Sequence, residues 1–467
     1  MKPPKETRCA EGRGRPEGEP RENARVRTQS RVTLRSNLAR VNEAARRDKS
    51  TRFTALLHHV DVSALERAFR RLKRNAAPGV DGETVASYEQ ELAQNLERLY
   101  AQIHSGRYRP QPVRRVYIPK ADGGRRPLGV TALEDKIVQG AVAEVLSAIY
   151  EVDFLGVSYG FRPRRSPHQA LEALHMACMT QNVNWVLDAD VRSFFDSVDH
   201  EWMLRMVAHR IADRRILRLI RGWLRAGVME GQRWSETVQG TPQGSGISPL
   251  LANVFMHYVL DLWVHQWRKR YAQRRVIIVR YCDDFVLGFE HEADARRMLA
   301  DLKERLAKFK LALHEEKTRL IEFGKLASEL RRRRGARRCE TFRFLGFTHY
   351  CARSRNGHLV VKRRTDRMRL TRKLKELGIQ ARRRMHTPVV LQYQWLCSVL
   401  RGHYAYFGLP SNSDRLGAFY QETRRIWYRA LNRRSQRRLS WERYVRLLER
   451  FPLPVPRITH PRPVAPC

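Results

Sequence analysis

Apolar residues along this chain change their period several times, and each change marks an element. In DVSALERAFRRL, Val62, Leu65, Ala68, Phe69 and Leu72 recur at the spacing of one helix face, with Asp61 or Ser63 placed to cap it. Residues from about Ser36 to Leu99 read as helices of this kind, broken by one loop, RNAAPGVDG (Arg74–Gly82), with Pro-Gly and Asp-Gly turn signals. RRVYIPKADGGRRPLGV (Arg114–Val130) then reads as a β-hairpin. Val116, Tyr117 and Ile118 form its first strand and Asp122-Gly123-Gly124 its turn. TALEDKIVQGAVAEVLSAIYE is helical, with Thr131 as N-cap and Glu134 as its capping-box partner. NWVLDADVRSFFDSVDH (Asn184–His200) opens on a short apolar strand, Trp185–Leu187, and runs into acids. QGTPQGSGISPLLANVFMHYVLDLWVHQW is a Gly/Pro loop feeding a long apolar helix. VIIVRYCDDFVLGF (Val276–Phe289) is a hairpin with its turn near Asp283–Asp284, and ADARRMLADLKERLAKFKL is an amphipathic helix. Beyond Phe323 the composition shifts: residues 331–384 hold 20 Lys and Arg against three acids, Glu340, Asp366 and Glu376. A helical, aromatic-rich end follows, with a domain boundary near 365.

The Asp pair in the most strand-like segment is the anomaly. Aspartate is poor in strands and costly to bury unpaired. The surrounding chain is strongly basic, with 90 Lys and Arg against 48 Asp and Glu, a net charge of +42. Such an excess repels itself and calls for a polyanion. Nucleic acid fits, because phosphate contacts release counterions. An uninterrupted apolar run and a signal-peptide core are both missing, which argues against a membrane. The length of 467 residues accommodates two or three domains, and 42% hydrophobic residues mark a folded chain with a basic, Gly/Pro-rich disordered arm at 1–35. Seven scattered cysteines without a C-x-x-C pair argue for a reducing, cytoplasmic setting and against a disulfide framework or zinc ribbon.

Asp190 ends one strand and Asp283 sits at a hairpin tip. If these strands are sheet neighbours, their carboxylates converge. Carboxylates with substrate phosphates are the ligands Mg²⁺ prefers, and two such ions clamp the attacking and departing oxygens of a nucleotidyl transfer. Mn²⁺ is a possible substitute. In an extended strand Asp283 and Asp284 point to opposite faces. Asp283 is then the firmer ligand, and Asp284 either binds from a turned backbone or supports those that do.

In order along the chain, APGVDG, IPKADGGRRPLGV, YGFRPRRSPHQAL, DADVRSFFDSVDH, GTPQGSGISPLLANVF, RYCDDFVLGF, HEEKTRL and FRFLGF resemble the successive blocks of reverse transcriptases encoded by group II introns. The resemblance covers roughly Phe53 to Pro461. The end, GHYAYFGLP…SWERYVRLLERFPLPVPRITHP, is similar to the thumb or maturase region of the compact class that lacks an endonuclease. This implies an α+β right-hand polymerase. Residues 36–110 are an N-terminal helical extension and the start of the fingers, and 111–364 are fingers and palm with an antiparallel palm sheet. Residues 365–451 are a helical thumb/maturase domain and 452–467 a Pro-rich tail.

The resemblance also implies residue roles. Asp190, Asp283 and Asp284 carry the metals. Lys120 and Arg126 grip the triphosphate, and Gln243 braces the incoming nucleotide. Phe194 or Phe195 lies under the sugar and excludes a 2′-hydroxyl; the alternative is that both are core aromatics. Lys317 either protonates the leaving pyrophosphate or pairs with phosphate at the surface. Cys282 stands where the family most often has Ala. The implied partners are group II intron RNA or another RNA template, a DNA primer or target, and dNTPs. The basic stretch 331–384 and the C-terminal helices bind the RNA. There Tyr393, Trp395, Tyr404, Tyr406, Trp427 and Tyr428 offer stacking surfaces, although their helical spacing assigns most of them to a core. The implied function is RNA-directed DNA synthesis with assistance to intron splicing. The alternative is a domesticated relative serving DNA repair or antiviral defence.

Overall fold

Three sheets and three packed cores organise the chain in a computed structural model that describes residues 36–460, apart from 120–123, 232, 238, 242–243, 336–338, 355 and 437. The chain enters through helices Ser36–Arg47, Val62–Arg70, Val85–Gln90 and Leu92–His104. Three connections break this region, not the expected one: residues 48–61, which form a loop with a 3₁₀ turn at Leu57–His59, residues 71–84, and the single residue Glu91. Asp61 caps the second helix, accepting from the Ala64 amide at 2.6 Å.

The strands follow as β1 (Val113–Pro119), β2 (Arg125–Val130), β3 (Trp185–Asp190), β4 (Val228–Glu230), β5 (Arg233–Ser235), β6 (Val276–Tyr281), β7 (Asp284–Phe289), β8 (Arg319–Glu322), β9 (Phe342–Phe344), β10 (Phe347–Arg353) and β11 (Leu359–Thr365). They assemble as β2-β1-β4-β5, β6-β7-β3-β8 and β11-β10-β9. The first sheet contains the expected hairpin, with Ile118 opposite Arg126, and β4 joins β1 in parallel. The second sheet is antiparallel throughout.

The near-continuous apolar runs of β6 and β7 are explained by burial on both faces. Ile278, Phe285 and Leu287 enter the large core built around helix Leu133–Asp153. Their alternates Ile277, Val279 and Val286 enter a second core with helix Pro167–Thr180 and the β9–β11 sheet.

Helix Leu133–Asp153 does not begin as the sequence suggests. Its N-cap is Ala132, without a side-chain hydrogen bond, and the Thr131 hydroxyl is buried without a partner among the described residues. Asp81, from the Asp-Gly loop, accepts from the Leu133 amide at 3.2 Å instead. Glu134 is drawn away to Arg98 and the Tyr88 hydroxyl. A carboxylate brought in from a distant loop has taken over the local cap.

Helices Arg367–Arg383, Val389–Phe407, Ser413–Asn432 and Trp441–Arg450 share a third core that includes Leu396, Leu400, Phe419 and Tyr444. Tyr404 and Trp427 are also buried there, so neither offers a stacking face. This region is stitched to what precedes it. Asn412 accepts from the Thr365 amide and donates to its hydroxyl, both at 2.8 Å, and Leu409 enters the second core. The Pro-rich segment returns to the same place, where the Thr459 and His460 amides donate to the Gly408 carbonyl and His460 stacks on His168.

Candidate active site

β3 and β7 pair so that Asp190 lies directly opposite Asp284, and β6 pairs with β7 so that Tyr281 also faces Asp284. Cys282 and Asp283 form the two-residue turn between β6 and β7. Such turns need positive φ, and Cys282 supplies it at +63° while its side chain is buried. Asp283 therefore belongs to the turn and Asp284 to the first position of β7, so the opposite-faces argument for two extended residues does not apply.

Asp188 joins the cluster, two residues before Asp190 and so on the same face of β3. Burial pushes the Asp284 carboxyl up to about 7, and the charges of Asp188, Asp283 and Asp190 add to that, against the pull of Arg369. Burial likewise raises Asp188 to about 6, opposed by Arg319 and by the main-chain N–H of Arg343. Asp190 stays half-exposed and is paired with Lys317 at 3.1 Å. The Lys317 loop is strapped to the same strand end, because the His314 amide donates to the Asp190 carbonyl at 2.8 Å.

The structure thus gathers Asp190, Asp283, Asp284 and Lys317, and adds Asp188, Arg319 and Arg369, which sequence reasoning had not singled out. For Asp188 a signal existed in the LDAD alternation. For the two arginines there was none, since both arrive from later elements. Among the described residues, no three His, Cys, Asp or Glu side chains close around one point in metal-holding geometry, and Asp190 is turned toward Lys317.

The two aromatic candidates separate clearly. Phe194 is 2% exposed, and its ring packs edge-on against Phe255 and Phe195. Phe195 keeps part of its surface open. Its carbonyl accepts from the Thr241 amide at 2.6 Å, which ties the loop leading to Gln243 to this corner. Gly244, on the far side of that loop, has no room for a side chain, since a Cβ would meet the Gly129 carbonyl of β2 at 2.5 Å. A cavity of about 660 Å³ opens between these parts, lined by Arg115, Leu128, Gly129, Asp196, Gln239 and Thr241 among others. Lys120 and Gln243 lie outside the described residues. Arg126 is placed by its backbone in β2, but its side chain also lies outside them.

Residues 118–349 match the family described as reverse transcriptase (RNA-dependent DNA polymerase). Protein YkfC of Escherichia coli K12 is 36% identical over 239 residues, covering 45% of this chain and 62% of that protein. The group II intron-encoded protein LtrA of Lactococcus lactis subsp. cremoris is 35% identical over 208 residues, 44% of this chain and 34% of LtrA. Nuclear intron maturase 1 of Arabidopsis thaliana is 27% identical over 92 residues, 20% of this chain and 13% of its own length. The chain thus spans less than two thirds of each of these relatives. The resemblance drawn from the sequence motifs is borne out over the matched region. No helix among the described residues is long and apolar enough to cross a membrane.

Proposed function

We propose that this chain, whose residues 118–349 are a reverse transcriptase domain, is an RNA-directed DNA polymerase that binds a group II intron RNA, assists its splicing and copies it into DNA by two-metal nucleotidyl transfer. The observation that carries the reading is the register that sets Asp190 opposite Asp284 with Asp283 in the adjoining turn. In this reading β6-β7-β3-β8 is the palm sheet, β2-β1-β4-β5 belongs to the fingers, and residues 365–451 form the thumb.

The residues suit Mg²⁺ in kind. They offer hard carboxylate oxygens, and the burial and the carboxylate repulsion that together raise Asp284 are what a divalent cation would offset. Asp190, Asp283 and Asp284 would hold the ions, which supply activation of the primer hydroxyl and stabilisation of the departing pyrophosphate. The Lys317 ammonium, held beside Asp190, is positioned to give its proton to that leaving group. Lys120 and Arg126 bind the triphosphate, Arg through a fork of donors. Phe195, and not the core residue Phe194, checks the sugar for a 2′-hydroxyl. Gln243 braces the nucleotide from the loop anchored on Phe195. The arginine-rich stretch 331–384 and the C-terminal helices hold RNA phosphates.

Primer extension on an RNA template tests the polymerase. Asp283→Ala is expected to lower the rate by about a thousandfold, the order lost with a key electrostatic group, and an undiminished rate overturns the assignment. Sequencing the RNA that copurifies from the native cell tests the intron role. Enrichment of one structured RNA carrying this reading frame supports it, and a diffuse population moves the function to repair or defence.

A further inference from the structure

Arg280 is the penultimate residue of VIIVRY, the most apolar strand, and is 0% exposed. A guanidinium survives such burial only when its donors are matched. Here Nε and Nη2 donate to the two carboxylate oxygens of Asp261 at 2.7 and 2.6 Å. Nη1 donates to Asn253 Oδ1 at 3.0 Å and to the main-chain carbonyl of Cys282 at 2.7 Å. Asp261 is equally inaccessible. Asn253 in turn donates to the Gly160 carbonyl at 2.7 Å. Gly160 lies so close beneath the turn that a Cβ there would meet the Cys282 amide nitrogen at 2.5 Å.

The helix that presents Asn253 and Asp261 is built for this. It runs as Ser248–Met256 and Leu262–Arg270, joined by a π-helical turn at His257–Asp261. In an unbroken α-helix, residues eight apart lie about 80° round from each other. The π turn absorbs one residue and brings the two side chains close to one line, facing Arg280.

A buried pair of this kind is not needed for stability, since apolar side chains of similar volume usually serve as well. What they cannot do is donate to the Cys282 carbonyl, in a turn whose first residue is held left-handed without being glycine. We propose that Arg280, Asp261 and Asn253 form a positioning device that locks the Cys282–Asp283 turn and thereby fixes the carboxylates of Asp283 and Asp284 for catalysis. This rests on the polymerase reading of those two acids. Arg280 is a positioning residue, because it reaches the acids through the Cys282 carbonyl.

The test uses the full chain with Arg280→Met and Asp261→Leu combined, which leaves no orphaned charge, and Asn253→Ala as a milder variant. Three quantities are measured: the melting temperature, the alkylation rate of Cys282 by N-ethylmaleimide followed by mass spectrometry, and primer-extension kcat beside KM for dNTP. For the double variant the expected result is a melting temperature close to wild type and Cys282 alkylation faster by about tenfold as the turn opens. Its kcat should fall by about a hundredfold, as for a small misplacement of reacting groups, with KM little changed. Asn253→Ala should move alkylation and kcat in the same directions by less. A folded double variant with wild-type alkylation and kcat overturns the proposal. Should the double variant not fold, unchanged alkylation and kcat in Asn253→Ala overturn it. If the wild-type protein itself extends no primer, the polymerase reading fails, while the alkylation rates still decide whether the network holds the turn.

Discussion

Replacing His349 by Phe should flatten the loss of stability on acidification. His349 sits on β10 with 0% exposure, its ring stacked on Phe342 at 4.6 Å and 7°. Neither ring nitrogen has a hydrogen-bond partner among the described residues. Burial, with smaller contributions from Arg363 and His175, lowers its pKa to about 3. The folded value lies below the unfolded one, so the folded state resists protonation. Stability is therefore complete above the unfolded pKa of about 6.5 and is lost as pH falls from there toward 3. At pH 5 the gap is about 1.5 pH units, and at 1.36 kcal/mol per unit it costs about 2 kcal/mol. Phenylalanine keeps the stack on Phe342 and removes the proton site. Urea unfolding at pH 8 and pH 5 measures the effect as a difference of differences, in which any overpacking by the larger ring cancels. The other buried histidines with lowered pKa, His200, His257 and His403, are present in both proteins and cancel as well. Wild type should lose about 2 kcal/mol more than His349→Phe between the two pH values. Equal losses would refute the reasoning, because they would mean that the ring is hydrated or paired when folded.

Three further outcomes are expected. Binding to structured RNA should weaken by about a thousandfold or more between 50 and 200 mM salt if six to ten phosphates are contacted; a flat log–log slope would mean the net charge of +42 serves something else. Phe195→Ala should admit ribonucleotides in primer extension, whereas Phe194→Ala should cost about 3–5 kcal/mol of stability as a cavity in the core. An unchanged ratio of dNTP to rNTP incorporation in Phe195→Ala would remove its assigned role. A chain ending at residue 365 should aggregate, because it loses the Asn412 bonds to Thr365 and the burial supplied by Tyr406, Phe407 and Leu409. Soluble protein with a native-like melting temperature would show instead that the preceding region folds unaided.

What the sequence alone determined about this protein was local. The helix faces of 62–70 and 292–307, the hairpins around residues 120 and 283, and the interruption of an apolar strand by Asp283 and Asp284 are all written in spacings of two to four residues. An ordered series of such segments is enough to identify a reverse transcriptase domain. The tertiary structure decided everything that depends on which segments meet. It brought Asp188 and Asp190 together with Asp284 through the pairing of β3 with β7, moved the cap of helix Leu133–Asp153 from Thr131 to Asp81, and put Phe194 in the core while leaving Phe195 partly open. It also gave the buried Arg280 of VIIVRY its partners, by bringing Asp261 and Asn253 to it across a π turn. The physical reason is the same in each case. Periodicity records which face of an element is apolar, but a buried charge or an uncapped amide is satisfied by whatever long-range packing delivers, and no local spacing encodes that partner.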